Sequence, residues 1–415
     1  VAEPTGGTVG ELVELDVGPV AHGGYCVARH GGRVVFVRHA LPGERVVARI
    51  TEDRGGRFCR ADAVEIRVAS PERVEPPCPY ARPGRCGGCD WQHVTAAAQR
   101  ALKADVVREQ FSRVAGLDVS EMLTGVEELP GGLLGWRTRI SYAVDADGRP
   151  GLHRHRSAEI EHVRRCLLGV PGVGDTTALA QRWPGLLGIE AARGLGSEVT
   201  LLAHRPGAGR HPRGRRPPDR IEVVEGPPVL EYEVRGRRFR VSAGGFWQVH
   251  PAAPEAFTAA LLDAVRPAPG ERVLDLYAGA GALTAALAEA VGAGGEVIGL
   301  EVSQPAVEDA GANLADLPWA RIERARVGAA AIAGLSGRFD VVALDPPRAG
   351  AGREVMTALL DLRPRAVGYV SCDPATLARD VAVAREAGWR LAALRAFDAF
   401  PMTHHVECVA ALNPA

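Results

Sequence analysis

Ser371-Cys372-Asp373-Pro374 is the stretch best set up for chemistry. It joins a short apolar run, Arg365 to Val370, to a segment with helical spacing from Ala375 to Glu386. The turn between strand and helix puts Cys372 against the first turn of a helix, with Asp373 as its N-cap and Pro374 at the first helical position. The positive end of a helix favours a thiolate over a thiol, and a thiolate is a nucleophile. The plain alternative is a buried structural cysteine, and the turn, the cap and the acidic motifs upstream weigh against it.

Upstream lie the elements of a ligand crevice. Glu271 to Tyr277 reads as a strand, Ala278-Gly279-Ala280-Gly281 as its turn and Ala282 to Val291 as its helix. Gly279 and Gly281 let the backbone come close to a cofactor. The next strand, Gly295 to Glu301, ends in an acid 20 residues after Gly281 that can accept both hydroxyls of a ribose. Spacing alone suits NAD. A third strand, Phe339 to Asp345, runs into Pro346-Pro347-Arg348, and an acidic-Pro-Pro turn at a strand end resembles the signature of methyltransferases acting on planar nitrogen bases. Those enzymes usually carry an aromatic residue next. Arg348 stands there instead, which disfavours methylation of an amino group. Alternating strands and helices imply a mainly parallel sheet with ligands at its carboxyl ends.

Cysteines supply a second kind of chemistry. Cys86-Gly87-Gly88-Cys89 is a tight pair whose glycines let the backbone wrap so that both thiols face one centre. Cys78 precedes it and Cys166 is the fourth candidate ligand. One tight pair with two outlying cysteines fits an iron–sulfur cluster at least as well as zinc, and the spacing does not choose between them. Cys26, Cys59 and Cys408 have no such spacing and read as inert. Eight cysteines in 415 residues are too few for a disulfide scaffold, which points to a reducing cytosol.

The elements that must hold these groups fall into three segments. Residues 1–68 read as about five short strands punctuated by glycine pairs, a small OB-like barrel. Residues 69–245 are mixed α+β. They carry the cysteine loop, a helix over 94–115 that is expected to pack on the catalytic segment, and strands near 138–144, 196–203, 221–224 and 231–234. Residues 246–415 are α/β and Rossmann-like. The formal net charge is −1, and lysine occurs once, at Lys103. The balance is uneven: residues 137–245 hold 19 arginines against 12 acids, residues 246–415 hold 14 against 20. One part can face a polyanion while the other holds a small molecule. The arginine-rich loop 210–218 is a candidate for RNA phosphates, with a solvated loop as the equal alternative. No signal peptide and no apolar run of membrane length is read, so the protein is expected in the cytoplasm, as a monomer.

These pieces occur in one order: Ala40-Leu41-Pro42-Gly43-Glu44, the four cysteines, Phe246-Trp247-Gln248-Val249-His250, Asp275 to Gly281, Asp345 to Arg348, Ser371 to Asp380 and His405-Val406-Glu407. Together they resemble the RNA uracil-5-methyltransferase family over nearly the whole chain, the first being similar to a TRAM domain, an RNA-binding module. The resemblance implies S-adenosylmethionine as methyl donor and an RNA partner. It implies that Cys372 adds to uracil C6 and that Glu407 removes the C5 proton. Gln248, Tyr277, Glu301 and Asp345 match positions that hold the donor or order the site. The four cysteines resemble the [4Fe–4S]-containing, 23S ribosomal RNA branch more than the transfer RNA branch. The target uridine is expected splayed or single-stranded, because a stacked base cannot reach the thiol.

Four departures stand out. Ala282-Leu283 replaces a frequent Asn-Phe after the glycine turn. Val327 stands where a polar residue often caps the adenine, and His250 where asparagine is frequent. Seven residues rather than the usual five separate Cys78 from Cys86. The rivals are transfer RNA as substrate, amino-group methylation of adenine, and a noncatalytic iron–sulfur RNA-binding protein.

Overall fold

The structure is a computed structural model that describes residues 9–207 and 219–415. The arginine-rich loop 210–218 therefore lies outside the described residues. Near the N-terminus, strict alternation makes strands with one buried face. Val13 and Leu15 of β1 (Leu12–Asp16) point inward while their neighbours are exposed. Four more strands complete the barrel: β2 (Cys26–His30), β3 (Arg33–Arg38), β4 (Arg45–Asp53) and β5 (Phe58–Val68). Their order is β1-β4-β5-β3-β2, with β3 and β5 parallel and the other pairs antiparallel. Cys26 and Cys59 are buried in this barrel's core. The Pro42-Gly43-Glu44 turn fastens it to the segment at Ser70 to Arg73. Buried Glu44 accepts from Arg73 at 2.6 and 2.7 Å and from the Ser70 amide at 3.0 Å.

The middle of the chain divides its loyalty. Helix α1 (Ala96–Gln110) continues through one π turn and stops at Gly116, in the left-handed region. It packs into the core of the C-terminal sheet through Ala104, Val107 and Phe111. Strand β6 (Val126–Glu128) joins that same sheet at its edge. A separate six-stranded sheet has the order β12-β11-β10-β7-β8-β9. It is built from β7 (Arg139–Val144), β8 (Pro150–His153), β9 (Ile160–Glu161), β10 (Gly188–Ala192), β11 (Thr200–Arg205) and β12 (Arg220–Glu225). The hairpin β13 (Val229–Val234) and β14 (Arg237–Ser242) stands apart from it and leans on the C-terminal region.

The C-terminal region alternates as its sequence pattern requires. The elements are α2 (Ala253–Val265), β15 (Arg272–Leu276), α3 (Ala282–Val291), β16 (Glu296–Glu301), α4 (Gln304–Asn313), β17 (Ala320–Arg324), α5 (Ala329–Ala333) and β18 (Val341–Leu344). Then come α6 (Gly352–Asp361), β19 (Ala366–Ser371), α7 (Pro374–Glu386), β20 (Trp389–Asp398) and β21 (Glu407–Pro414). The eight-stranded sheet runs β17-β16-β15-β18-β19-β21-β20-β6. Five strands, β17 to β19 in that order, are parallel; β21 runs against them, and β20, antiparallel to β21, runs with them again. The chain leaves β15 in one lateral direction for β16 and in the other for β18. The crevice between those strand ends is where such sheets bind ligands.

Lys103, the single lysine, is fully buried. Its ammonium meets Asp398 at 2.5 Å and the Phe400 carbonyl at 3.1 Å, which ties α1 to the end of β20. Among the described residues no helix is long and apolar enough to cross a membrane.

Candidate active site

The crevice is lined by the ends of β15, β16 and β18. After β15 the chain enters the left-handed region three times, at Tyr277 (φ 67°), Gly279 (φ 55°) and Gly281 (φ 88°). Tyr277 holds that conformation despite its side chain, a local cost of the kind that clusters at ligand sites. A Cβ on Gly279 would meet nothing within 4 Å, so its side faces open space; one on Gly281 would press on Ala310 at 3.3 Å. Gly281 thus serves helix packing, and Gly279 leaves a cradle bare.

Glu301 closes the cradle. Its Oε2 accepts from the Gly279 amide at 3.0 Å, and Oε1 from the Val302 and Ser303 amides at 2.7 Å. A carboxylate offers about four lone-pair directions, so acceptor capacity remains for ribose hydroxyls. Behind the turn, Asn313 Nδ2 donates to the Ala280 carbonyl at 3.0 Å, and its Oδ1 accepts from the Arg240 amide at 2.9 Å. The β14 hairpin therefore braces the glycine turn. Asp275 is wholly buried below it. Thr284 donates to its Oδ2 at 2.6 Å, while Oδ1 has no partner among the described residues. Burial lifts this carboxyl to about 7.

Cys372 stands at the strand-to-helix turn that its sequence predicts. β19 ends at Ser371, and Asp373 caps α7 by accepting from the Ala375 and Thr376 amides at 3.0 and 2.9 Å. The antiparallel register pairs Ser371 with Cys408, so Cys372 and Glu407 lie at neighbouring strand ends. Asp345, one residue past β18, completes the group, with Gln248 beside its carboxyl. Gln248 is aimed there because its neighbour Trp247 is locked on the hairpin, stacked on Tyr232 at 4.6 Å.

The electrostatics differ from the sequence expectation in one respect. Burial, then the Glu407 and Asp345 carboxylates, push the Cys372 thiol up to about 12, with Arg348 pulling the other way. Burial and Asp345 also raise Glu407 well above the carboxylate range. Burial and Asp275 raise Asp345 to about 7, while Gln248 lowers it. Three groups that lose protons with difficulty share one small, dry place.

Over the thiol lies a cavity of about 110 Å³ whose rim comes from distant segments. His22 of the barrel, Arg348, and His404 and His405 of the β20–β21 loop line it together with Cys372 and Asp373. His22 Nε2 meets Asp373 Oδ2 at 3.1 Å. His404 Nδ1 pairs with Asp90 at 2.6 Å, and Arg38 of the barrel reaches the other oxygen of Asp90 at 3.4 Å. Sequence reasoning assigned no role to His22, Asp90, Arg38 or His404, because no local pattern marks them. Asp380 closes the Ser371 block, but no role is read for it there. This buried residue accepts from the Ala351 amide and the Tyr369 hydroxyl at 2.8 and 2.7 Å, which fixes the loop after Arg348.

The four cysteines are brought together elsewhere. Cys78, Cys86, Cys89 and Cys166 line one cavity of about 60 Å³. The Gly88 amide donates to Cys86 Sγ at 3.5 Å and Gln92 Nε2 to Cys89 Sγ at 3.1 Å, contacts suited to ligand sulfurs. A Cβ on Gly87 would strike the His155 backbone at 2.7 Å, which explains that glycine. As they stand, no three His, Cys, Asp or Glu side chains among the described residues are drawn close enough to hold an ion. Of the departures, Val327 packs against the main core and His250 stacks on Trp136 at 5.6 Å.

Comparison with known proteins is consistent with this geometry. The family described as tRNA (Uracil-5-)-methyltransferase matches residues 228–414, and a TRAM domain matches residues 7–64. An RNA methyltransferase of Streptomyces avermitilis is 47% identical, with 98% of this chain and 99% of the relative covered. One of Streptomyces coelicolor is 48% identical, with 100% and 95% covered. Among solved structures, the Pyrococcus abyssi tRNA (uracil-54, C5)-methyltransferase in complex with S-adenosyl-L-homocysteine superposes with a TM-score of 0.69. It covers 96% of this chain and 99% of its own at 21% identity, a likeness of fold.

Proposed function

Because the chain belongs to the RNA (uracil-5-)-methyltransferase family, we propose that it forms 5-methyluridine in RNA through Cys372 and Glu407. The observation that carries the assignment is the meeting of Cys372, Glu407, Asp345 and Gln248 at three adjacent strand ends, beside the bare cradle at Gly279. S-adenosylmethionine, held by Glu301, Gly279, Gly281, Tyr277, Gln248 and Asp345, would supply an electrophilic methyl group to C5.

The residues do the rest. Uracil C5 is a weak nucleophile until the Cys372 thiol gives its proton to water in the cavity above it and its sulfur bonds to C6, which places negative charge on C5 and O4. Gln248 and Asp345 would hydrogen-bond the pyrimidine while that charge develops. After methylation Glu407 takes the C5 proton, the C5–C6 double bond re-forms and the sulfur leaves. Glu407 takes that proton as the ionised carboxylate, and burial, which raises its basicity, makes it a stronger base than an exposed glutamate. A thiol of high pKa is likewise strongly nucleophilic once its proton has gone.

The barrel supports an RNA partner. On its outer face Phe58 and Phe36 pack edge to face at 5.5 Å, and the Arg60 guanidinium lies over Phe58 at 5.1 Å. Aromatic and cationic groups of this kind receive unstacked bases. We further propose that the four cysteines ligate a [4Fe–4S] cluster, and that the RNA is 23S ribosomal RNA. Anaerobically purified protein should then be brown; a colourless zinc protein would refute the cluster.

The test of function incubates the protein with labelled S-adenosylmethionine and, separately, ribosomal and transfer RNA, followed by digestion. Labelled 5-methyluridine from ribosomal RNA is expected, and Cys372→Ala should yield none. Product from transfer RNA alone would favour the substrate for which the family and the Pyrococcus enzyme are named. Methyladenine from an active Cys372→Ala would overturn the mechanism.

A further inference from the structure

The N-terminal barrel touches the nucleophile's own helix cap. Asp373 divides its carboxylate: Oδ1 takes the two amides that start α7, and Oδ2 takes His22 Nε2 at 3.1 Å across 351 residues of sequence. Cys372 is the residue immediately before that cap. Burial works against the Asp373 charge, and His22 with the helix amides holds its carboxyl below the usual range.

The turn that presents His22 is itself held firmly. The Ala21 amide donates to the Tyr25 carbonyl at 2.7 Å and the Gly24 amide to the Ala21 carbonyl at 3.2 Å. Trp91 Nε1 donates to the Gly24 carbonyl at 3.2 Å. Gly24 lies so close to the β20–β21 loop that an added Cβ would stand 2.7 Å from His404 Cβ. The turn is thus wedged between the cysteine-loop segment and the loop that leads into Glu407. Its position sets where His22 meets Asp373.

We propose that His22 is a positioning residue for the nucleophile: the barrel completes the α7 cap through it and so fixes where Cys372 Sγ stands relative to the pyrimidine. This rests on Cys372 being the nucleophile. The barrel then does more than hold RNA at a distance, since its seating on the catalytic region is part of what sets the thiol.

The test uses the full chain, S-adenosylmethionine, and ribosomal and transfer RNA each transcribed with 5-fluorouridine, the RNA that is trapped serving for the rate measurements. Fluorine at C5 cannot leave as a proton, so the sulfur–C6 bond persists and can be counted. His22→Ala should slow adduct formation at saturating RNA by on the order of tenfold to a hundredfold, the scale of a small misplacement of a reacting group. RNA affinity by filter binding should change less than about threefold, which separates positioning from binding. His22→Gln, whose amide nitrogen can reach the place of Nε2, should recover most of the rate. Gly24→Ala should slow it as His22→Ala does, because it moves the turn and leaves the imidazole intact.

Equal trapping rates in wild type and His22→Ala overturn the proposal. So does a His22→Ala rate that returns to the wild-type value at high RNA, which would make His22 only an RNA contact. If His22→Ala melts too low to assay, a fast His22→Gln beside a slow Gly24→Ala supports the proposal and two equally fast variants overturn it. A wild-type chain that traps no RNA sinks the Cys372 assignment and this inference with it. An active wild type indifferent to His22 sinks the inference alone.

Discussion

The crevice at Gly279 and Glu301 and the rim above Cys372 are built on opposite plans. The crevice is local. Tyr277 to Gly281 and Glu301 each end a strand in the parallel half of one sheet, and backbone amides hold the carboxylate in place. The rim is assembled from three remote segments, the barrel turn at His22, the loop at Asp90 and the hairpin loop at His404. The first is a preformed seat for a small molecule. The second exists only when the barrel, the cysteine loop and the catalytic sheet are docked. A donor that diffuses freely needs a seat; a polymer substrate needs several surfaces fixed relative to one another, and docked segments provide that.

The largest effect that would sharpen this contrast is at the thiol itself. Glu407→Gln removes the group that takes the C5 proton, so turnover should fall by about 10²–10⁴-fold while a covalent RNA–protein adduct accumulates on a denaturing gel. Ordinary turnover would break the assignment of roles between the two sites. Next is the thiol without RNA. With Cys372 pushed up to about 12 by burial and its carboxylate neighbours, thiolate is scarce at neutral pH. Alkylation of the Cys372 peptide by iodoacetamide should be slow at pH 7 and rise about tenfold per pH unit, as expected for a group far below its pKa. A plateau near neutrality would mean that the helix end prevails over the carboxylates after all. The smallest change belongs to the seat. Glu301→Gln replaces a charged acceptor by a neutral one, which should weaken S-adenosylmethionine binding by calorimetry about tenfold. The trapping rate at saturating donor should stay unaltered; a drop there would show that the seat and the rim are not separate.

The same contrast explains what the sequence makes legible. β15, its glycine turn and α3 match the predicted boundaries to within a residue or so, because strand, turn and helix signals there are contiguous. β19, Cys372 and α7 do likewise, since Asp373 and Pro374 mark the helix start unambiguously. Of the β13–β14 hairpin the sequence marks only the first strand, near 231–234, as one more strand of the middle region, and leaves β14 unread. In the fold it braces α4 through Arg240 with Asn313 and Ser242 with Asp309. Nothing in its alternation tells which sheet or helix it will lean on. β6, three residues long, carries too little pattern to be read at all. His22 and Asp90 are silent for a further reason: an imidazole or a carboxylate in a loop acquires meaning only from a partner hundreds of residues away. The thiol's resistance to ionising is also invisible beforehand, because it comes first from burial in the assembled fold and then from carboxyl groups at the ends of two other strands.

Lys103 has a practical use that its ion pair with Asp398 makes available. A protease that cuts only after lysine has one cleavage point in these 415 residues, and that point is sealed between α1 and the end of β20. Intact protein should therefore resist it, and each cut molecule should give the same two fragments. Where reclosing is fast relative to cleavage, the yield of those fragments tracks the population of the opened state. The chain thus carries its own single-site clock for undocking of the helix that anchors the loop leading to Glu407, readable on a gel without any label.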